Sequence, residues 1–108
     1  MKEAFPKSSV LVLSDQVGYA DGGVVSKQVL KNGAGNITLF SFDEGQGLSE
    51  HAAPFDALVQ ILDGEAEIRL GDRPLRLKRG ESVIMPAGMK HSLHAVTRFK
   101  MLLTMIRG

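Results

Sequence analysis

The chain has 108 residues, 44% of them hydrophobic, which is the size of one compact domain. Thirteen Lys and Arg residues against twelve Asp and Glu residues give a formal charge of +1, and the scattered basic residues argue against nucleic-acid binding, which depends on phosphate neutralisation. Without cysteine, disulfides, thiolate nucleophiles and cysteine-ligated zinc are excluded. The apolar run at residues 10–13 is too short for a signal peptide or a membrane span, so we expect a cytoplasmic protein without a membrane partner.

Short apolar runs of strand length follow one another along the chain, separated by turns rich in Gly, Pro, Asp and Asn. The runs are VVSKQVL (24–30), ITLFSF (37–42), ALVQIL (57–62), AEIRL (66–70), PLRLK (74–78), SVIM (82–85), HSLHAV (91–96) and KMLLTMI (100–106). Short strands at such spacing are typical of an all-β sandwich or barrel. We therefore predict one domain over residues 1–108, with an N-terminal segment at 1–23 and a barrel at 24–106.

The burial pattern differs between these predicted strands. AEIRLGDRPLRL alternates around a Gly-Asp turn, with Ala66, Ile68 and Leu70 on one face and Glu67 and Arg69 on the other, which predicts a hairpin with one solvent-facing side. ALVQIL and MLLTMI are apolar at nearly every position, so we expect both of their faces to be covered. A second copy of the chain is the simplest cover and predicts a homodimer. The alternative is that the N-terminal segment packs over these strands.

The segment GESVIMPAGMKHSLHA (80–95) carries the first chemical signal. Gly80 is followed after five residues by Pro86, then by Gly88 and, after two more residues, by His91. This spacing resembles the second signature of the cupin superfamily, in which the histidine binds a metal ion. Ala95 stands where the family usually has asparagine.

The upstream segment GQGLSEHAAPFDALVQILDG (45–64) resembles the first cupin signature. Gly45, His51 and Gly64 fall on the family spacing, but Ala53 occupies the second histidine position and Ala57 the glutamate position. The resemblance covers residues 37–106. It implies an all-β, double-stranded β-helix (jelly-roll) barrel formed by a small single-domain cupin.

The resemblance also implies where a metal ion would bind. In a typical cupin, two histidines and a glutamate of the first signature and the histidine of the second hold one divalent ion. Only His51 and His91 remain here, and two neutral imidazoles without a carboxylate form a weak site for Zn, Ni, Mn or Fe. Strand alternation places Asp56 and Gln60 on the face opposite to Ala57, and His94 on the face opposite to His91. Only a β-bulge would bring Asp56 or Gln60 into the site.

We expect His51 and His91 to face one cavity lined by small and apolar side chains. The predicted lining residues are Ala53, Ala57, Val59, Met85, Met89, Leu93, Ala95, Met101 and Met105. The first functional hypothesis is a binding protein that captures a small-molecule ligand there, with the two histidines as its polar groups. The alternative is a metal-dependent oxygenase, isomerase or decarboxylase acting on a small acid or sugar-like substrate. The missing ligands favour the first hypothesis, although the sequence leaves the question of catalysis open.

Overall fold

The computed structural model describes residues 5–107, and its regular structure is built almost wholly from β-strands. Within this range the helical structure is one 3₁₀ turn, Leu13–Asp15. The strands are β1 (Val24–Asn32), β2 (Gly35–Phe42), β3 (Gly47–His51), β4 (Asp56–Asp63), β5 (Glu65–Leu70), β6 (Arg73–Lys78), β7 (Ser82–Met85), β8 (His91–Ala95) and β9 (Phe99–Ile106). Among the described residues, no helix has the length and apolar character to span a membrane.

Two antiparallel sheets face each other. The larger sheet has the strand order β1-β2-β9-β4-β7, and the smaller sheet has the order β3-β8-β5-β6. Apart from the β1–β2 and β5–β6 hairpins, successive strands alternate between the two sheets, and the predicted all-β jelly roll is confirmed. β9 occupies the centre of the larger sheet and pairs with both β2 and β4.

The main core lies between the sheets and follows the alternation of strand side chains. In β4, Ala57, Val59 and Ile61 are at most 3% exposed, and the residues between them are partly exposed. The rings of Phe42 and Phe99, on neighbouring strands, stack with their centroids 4.5 Å apart. The hairpin expected at residues 66–70 is present, and its apolar residues face this core. Removal of this apolar surface from water is the dominant stabilising contribution.

A second, smaller core covers part of the outer face of the larger sheet. This core forms where residues 5–20, which we call the N-terminal strap, pack on the sheet. Phe5 and Val17 of the strap are 6% and 3% exposed and pack with Leu39 of β2, Leu62 of β4 and Leu102 of β9. The chain itself thus covers part of the outer faces of β4 and β9. This is the alternative to a homodimer that the sequence left open.

Hydrogen bonds from the sheet fasten the strap to the outer face. Side chains of the sheet donate to strap carbonyls at 2.5–2.7 Å: Lys27 Nζ to Gln16, Ser41 Oγ to Gly18 and Lys100 Nζ to Ser14. In addition, the Tyr19 hydroxyl donates to Asp63 Oδ2 at 2.6 Å. Burial and this bond raise the pKa of Tyr19, so the hydroxyl remains a donor at neutral pH. These bonds satisfy carbonyls that an irregular segment cannot pair within a sheet.

The strap does not cover all of the outer face. Leu58 of β4 lies between Thr104 of β9 and Ile84 of β7, and Ile84 is 64% exposed. Ile106 at the end of β9 is 60% exposed. The homodimer therefore stays a prediction, with this uncovered part of the sheet as its natural contact surface.

Candidate functional site

His51 ends β3, a strand that the apolar pattern did not predict. β3 pairs with β8 such that Leu48 lies opposite Leu93 and His51 lies opposite His91. Three positions of β3 therefore span two positions of β8, which is a one-residue β-bulge. Leu48 packs against the main core, so strict alternation would turn Glu50 inward and His51 outward. The bulge instead brings His51 to the side of His91.

His91 begins β8 and is only 6% exposed. It lies at the level of Leu70 on the neighbouring strand β5. Leu93 and Ala95 share its face and are buried, whereas His94 points to the opposite, exposed face. Strand alternation thus places His91 inside and His94 outside the site, whereas His51 reaches the site through the bulge in β3.

The two imidazole rings meet edge to face. Their Nε2 atoms are 3.1 Å apart and their centroids 4.3 Å apart, with the ring planes at 66°. Nδ1 of His51 lies 2.7 Å from the carbonyl of Ser49, and Nδ1 of His91 lies 3.2 Å from the carbonyl of Met89. Each histidine thus contacts the carbonyl two residues before it. A carbonyl only accepts, so each Nδ1 carries a hydrogen, and in the neutral form of either ring the Nε2 atom is the unprotonated acceptor.

The protonation equilibrium of His91 favours this neutral form. Burial lowers the pKa of His91 because it penalises the charged ring, and the nearby His51 lowers it further, against the opposing effect of the bond to the Met89 carbonyl. The neutral ring therefore persists at neutral pH. The lone pairs of two unprotonated Nε2 atoms 3.1 Å apart repel each other unless a proton, a metal ion or a donor group lies against them. The pair is a preformed acceptor site.

The other two cupin ligand positions offer no donor side chain. Ala53 lies partly buried in the loop between β3 and β4. Ala57 is 3% exposed and lies between Met105 of β9 and Met85 of β7. Among residues 5–107, no group of three or more His, Cys, Asp or Glu side chains is suitably placed to hold a metal ion.

Asp56 and Gln60, the substitute ligands considered from the sequence, stay on the outer face of β4. The strand keeps regular register with β9 from Asp56 to Ile61, so the bulge near the site is in β3 and not in β4. Asp56 Oδ1 instead accepts the backbone N–H of Ala87 at 2.9 Å. Its role is to hold the loop before β8 in place.

The local backbone structure explains why two positions of the signature motifs are glycine. Gly88 adopts φ +80°, in the left-handed region, and donates its N–H to the Ala53 carbonyl at 2.8 Å, which ties the two signature loops together. Gly64 adopts φ +77°, and a Cβ there would lie 2.0 Å from the Arg98 carbonyl oxygen. Gly88 thus helps to hold the loops next to the histidine pair, whereas Gly64 serves the turn between β4 and β5, which lies against the start of β9.

The predicted lining residues occupy the interior below the histidines. Ala57, Val59, Met85, Leu93, Ala95 and Met101 are buried and belong to the main core, and Met105 packs against it while partly exposed. Met89 is 40% exposed in the loop before His91. Because these apolar side chains contact one another, they form a floor, and the histidine pair lies above it at the mouth of the barrel.

Two facing antiparallel sheets, with a histidine pair supplied by the end of β3 and the start of β8, define a cupin-type barrel. A family model described as "Cupin domain" matches residues 38–107. A conserved protein of unknown function from Streptococcus pyogenes is 35% identical and superimposes with a TM-score of 0.93, covering 97% of this chain and 92% of that one. The chain belongs to the cupin superfamily, as its two signatures indicated.

Two further solved structures are similar. A cupin superfamily protein from Desulfitobacterium hafniense is 30% identical, with a TM-score of 0.91, covering 97% of this chain and 96% of that one. A cupin 2 conserved barrel domain protein from Leptotrichia buccalis is 37% identical, with a TM-score of 0.84, covering 86% of this chain and 45% of that one. Among curated proteins there is no match. The relatives define the family and leave the activity to be argued from the site.

Proposed function

We propose that the protein is a cupin-type binding protein that holds a small molecule at the mouth of the barrel, with His51 and His91 as its polar anchors. The observation that carries this proposal is the pair of Nε2 atoms, 3.1 Å apart, whose rings are both fixed by hydrogen bonds from Nδ1 to backbone carbonyls. A ligand group with an N–H or O–H satisfies these acceptors. The apolar floor beneath them favours a ligand with a small hydrophobic part.

Burial differs between the two anchors in a way that suits binding. His91 is 6% exposed and held rigidly at the start of a strand, whereas His51 is exposed on the rim. A ligand arriving from solvent therefore meets His51 first and loses contact with water as it reaches His91. Preorganised acceptors reduce the ordering cost of binding.

A divalent metal ion is the second candidate occupant, because the same observation also fits coordination. Two nitrogens bound to one Zn ion at about 2.0–2.1 Å lie about 2.8–3.4 Å apart in neighbouring positions of a tetrahedral or octahedral site. Backbone carbonyls that bind the far ring nitrogen are also typical of metal-binding histidines. His51 and His91 would hold the ion, whose chemistry would be that of a Lewis acid for an anionic ligand.

The donor set argues against the metal-dependent oxygenase alternative. Oxygen activation at non-haem iron typically uses two histidines and a carboxylate on one face. Ala57 occupies the family's glutamate position, and Asp56 is engaged with the Ala87 backbone on the other face. Two neutral imidazoles leave the ion's charge uncompensated by protein, so we expect it to exchange readily.

The proposal is tested by a fragment screen with ligand-observed NMR at about pH 7.5, where neutral imidazole predominates. The panel contains small alcohols, amines, amides and acids, and hits are ranked by dissociation constant in the wild type. We expect hits whose affinity falls about tenfold in His51→Ala, since the ligand loses one of its two imidazole hydrogen bonds. His94→Ala is the matched control, because His94 lies on the other face of β8.

The result that would contradict the proposal is a panel in which binding is unaffected by His51→Ala, or equally weakened by His94→Ala. Two measurements distinguish a bound metal ion from a directly bound small molecule. They are elemental analysis of protein purified without chelator, and titration of chelator-treated protein with Zn(II), Ni(II), Mn(II) and Fe(II). One ion per wild-type chain, absent from His51→Ala, would favour metal. Fragment binding that survives chelator treatment would favour direct contact with the imidazoles.

A further inference from the structure

A second pocket lies where the β1–β2 hairpin meets the end of β9. Its volume is about 210 Å³. The side chains that matter for its chemistry are Lys31, Asn32, Asn36, Phe55, Met105 and Arg107. Neither His51 nor His91 lines this pocket.

The polar side chains of this pocket present donors. Asn32 Oδ1 already accepts the N–H of Ala34 at 2.7 Å, and Asn36 Oδ1 accepts the Thr38 hydroxyl at 3.4 Å. The amide NH₂ groups of both asparagines remain as the donors of these side chains. Together with the ammonium of Lys31 and the guanidinium of Arg107, the pocket carries four donor groups and no carboxylate in its lining.

The guanidinium of Arg107 is held in position, and no carboxylate of residues 5–107 forms an ion pair with either cation of the pocket. The Arg107 guanidinium lies 5.1 Å from the centroid of the Phe55 ring, a cation–π contact that restricts its orientation. The Arg107 backbone N–H also donates to the Ala34 carbonyl in the hairpin turn at 2.7 Å. Within residues 5–107, neither Lys31 nor Arg107 takes part in an ion pair.

We propose that this pocket binds a small organic carboxylate. The guanidinium and the ammonium supply charge-assisted hydrogen bonds to the carboxylate oxygens, and the asparagine NH₂ groups provide neutral donors beside them. Met105 and Phe55 form the apolar wall against which the carbon skeleton of the ligand packs. Two cationic groups without a carboxylate in the lining, together with an apolar wall, favour an organic anion over a cation or a neutral sugar.

The carboxylate site uses different polar groups from the histidine site, although Met105 lies at the edge of both. Met105 pairs with Asn36 on one side and with Ala57 on the other, so the pocket lies on the side of the larger sheet. The histidine pair belongs to β3 and β8 of the smaller sheet. Failure of either proposal therefore leaves the other standing, and His51→Ala distinguishes them because it should leave carboxylate binding unchanged.

The test is an NMR titration of ¹⁵N-labelled protein with sodium acetate and sodium succinate, with sodium chloride used to keep ionic strength constant. We expect saturable shifts of the Asn32 and Asn36 side-chain NH₂ signals and of the Arg107 Nε–H signal in the millimolar range. In Arg107→Gln the affinity should fall about tenfold, the effect of losing a charge-assisted contact. Lys31→Gln should weaken binding by a smaller factor, because the lysine side chain has no aromatic partner to fix it.

Arg79→Gln is the matched control, since it removes the same charge from an exposed turn elsewhere on the surface. Unchanged binding in this control and in His51→Ala would support the assignment. The proposal would be overturned by shifts that do not saturate, by equal losses in Arg79→Gln and Arg107→Gln, or by loss of binding in His51→Ala. Saturable binding of inorganic phosphate with no binding of either carboxylate would overturn the choice of ligand class.

Discussion

The inner and outer faces of the larger sheet are covered by different means. The inner face packs against the second sheet through regular strands, and its central side chains, such as Phe42 and Val59, are fully buried. The outer face is covered by the irregular N-terminal strap, which is fastened by hydrogen bonds from long side chains to its carbonyls. The difference indicates that the two sheets form the cooperative unit, whereas the strap can open locally.

The largest expected effect comes from the inner face. Phe42→Ala removes a ring that is 0% exposed and stacked on Phe99, and we expect a loss of about 3–5 kcal/mol in the free energy of unfolding. Leu39→Ala is the comparison on the outer face, also at a residue that is 0% exposed. We expect it to cost about 2–3 kcal/mol, because the strap can partly fill the space. Urea unfolding measures both, and an equal or larger loss in Leu39→Ala would show that the strap is as rigid as the main core.

A smaller effect is expected from the polar attachment of the strap. Tyr19→Phe removes the hydroxyl that donates to Asp63, at a cost of about 1–2 kcal/mol for a hydrogen bond to a charged acceptor. Hydrogen exchange should then accelerate at strap amides while the amides of β4 remain protected. Uniform acceleration throughout the protein would instead mean that the strap and the sheets unfold together.

Asp43, which directly follows β2, should add a smaller contribution to stability that depends on pH. The backbone N–H groups of Gly22 and Glu44, and then Arg98, hold the pKa of Asp43 below its ordinary value of 3.8. Because the folded-state pKa is lower, this contribution to stability is present above the unfolded pKa and is lost as pH falls through the folded value. The melting-temperature difference between the wild type and Asp43→Asn should therefore be largest near about pH 5 and shrink below pH 3.8. A difference that does not change with pH would contradict the ionic origin.

The uncovered part of the outer face provides the last test. Ile84→Asp places a charge on a side chain that is 64% exposed, so the stability of an isolated chain should change by no more than about 0.5 kcal/mol. If the predicted homodimer uses this surface, light scattering should give twice 11.7 kDa for the wild type and a single-chain mass for the variant. A monomeric wild type at micromolar concentration would remove the dimer hypothesis.

Eight of the nine strands within residues 5–107 could be predicted from the sequence because their apolar residues alternate or run continuously. β3 could not, since Leu48 is the single large apolar residue in GLSEH and the strand exists through its pairing with β8. The strap was equally hard to predict. Val10 and Val12 are exposed while Leu11 and Leu13 pack against the outer core, but all four residues are apolar, so the sequence alone does not reveal which of them are buried.

The candidate site was predictable in its residues but not in its chemistry. Signature spacing identified His51 and His91, and alternation placed His94 outside. The carbonyls of Ser49 and Met89, which fix the imidazole tautomers, carry no side-chain signal, and the bulge that turns His51 inward has none either. Lys31 and Arg107 were missed because nothing in the sequence indicates that a hairpin turn and the end of β9 adjoin.

The central position of β9 also sets the order in which the fold can be completed. β2 and β4 are not neighbours in the larger sheet, because β9 separates them over their whole length. Before residues 99–106 have been synthesised, β2 and β4 therefore each have an unpaired edge. Such edges are prone to pair with other chains. The contacts that close the sheet join residues distant in sequence, such as Phe42 and Phe99, so folding should be slow for a protein of this size. Synthesis of this protein would thus pass through an aggregation-sensitive interval that ends when its last strand inserts.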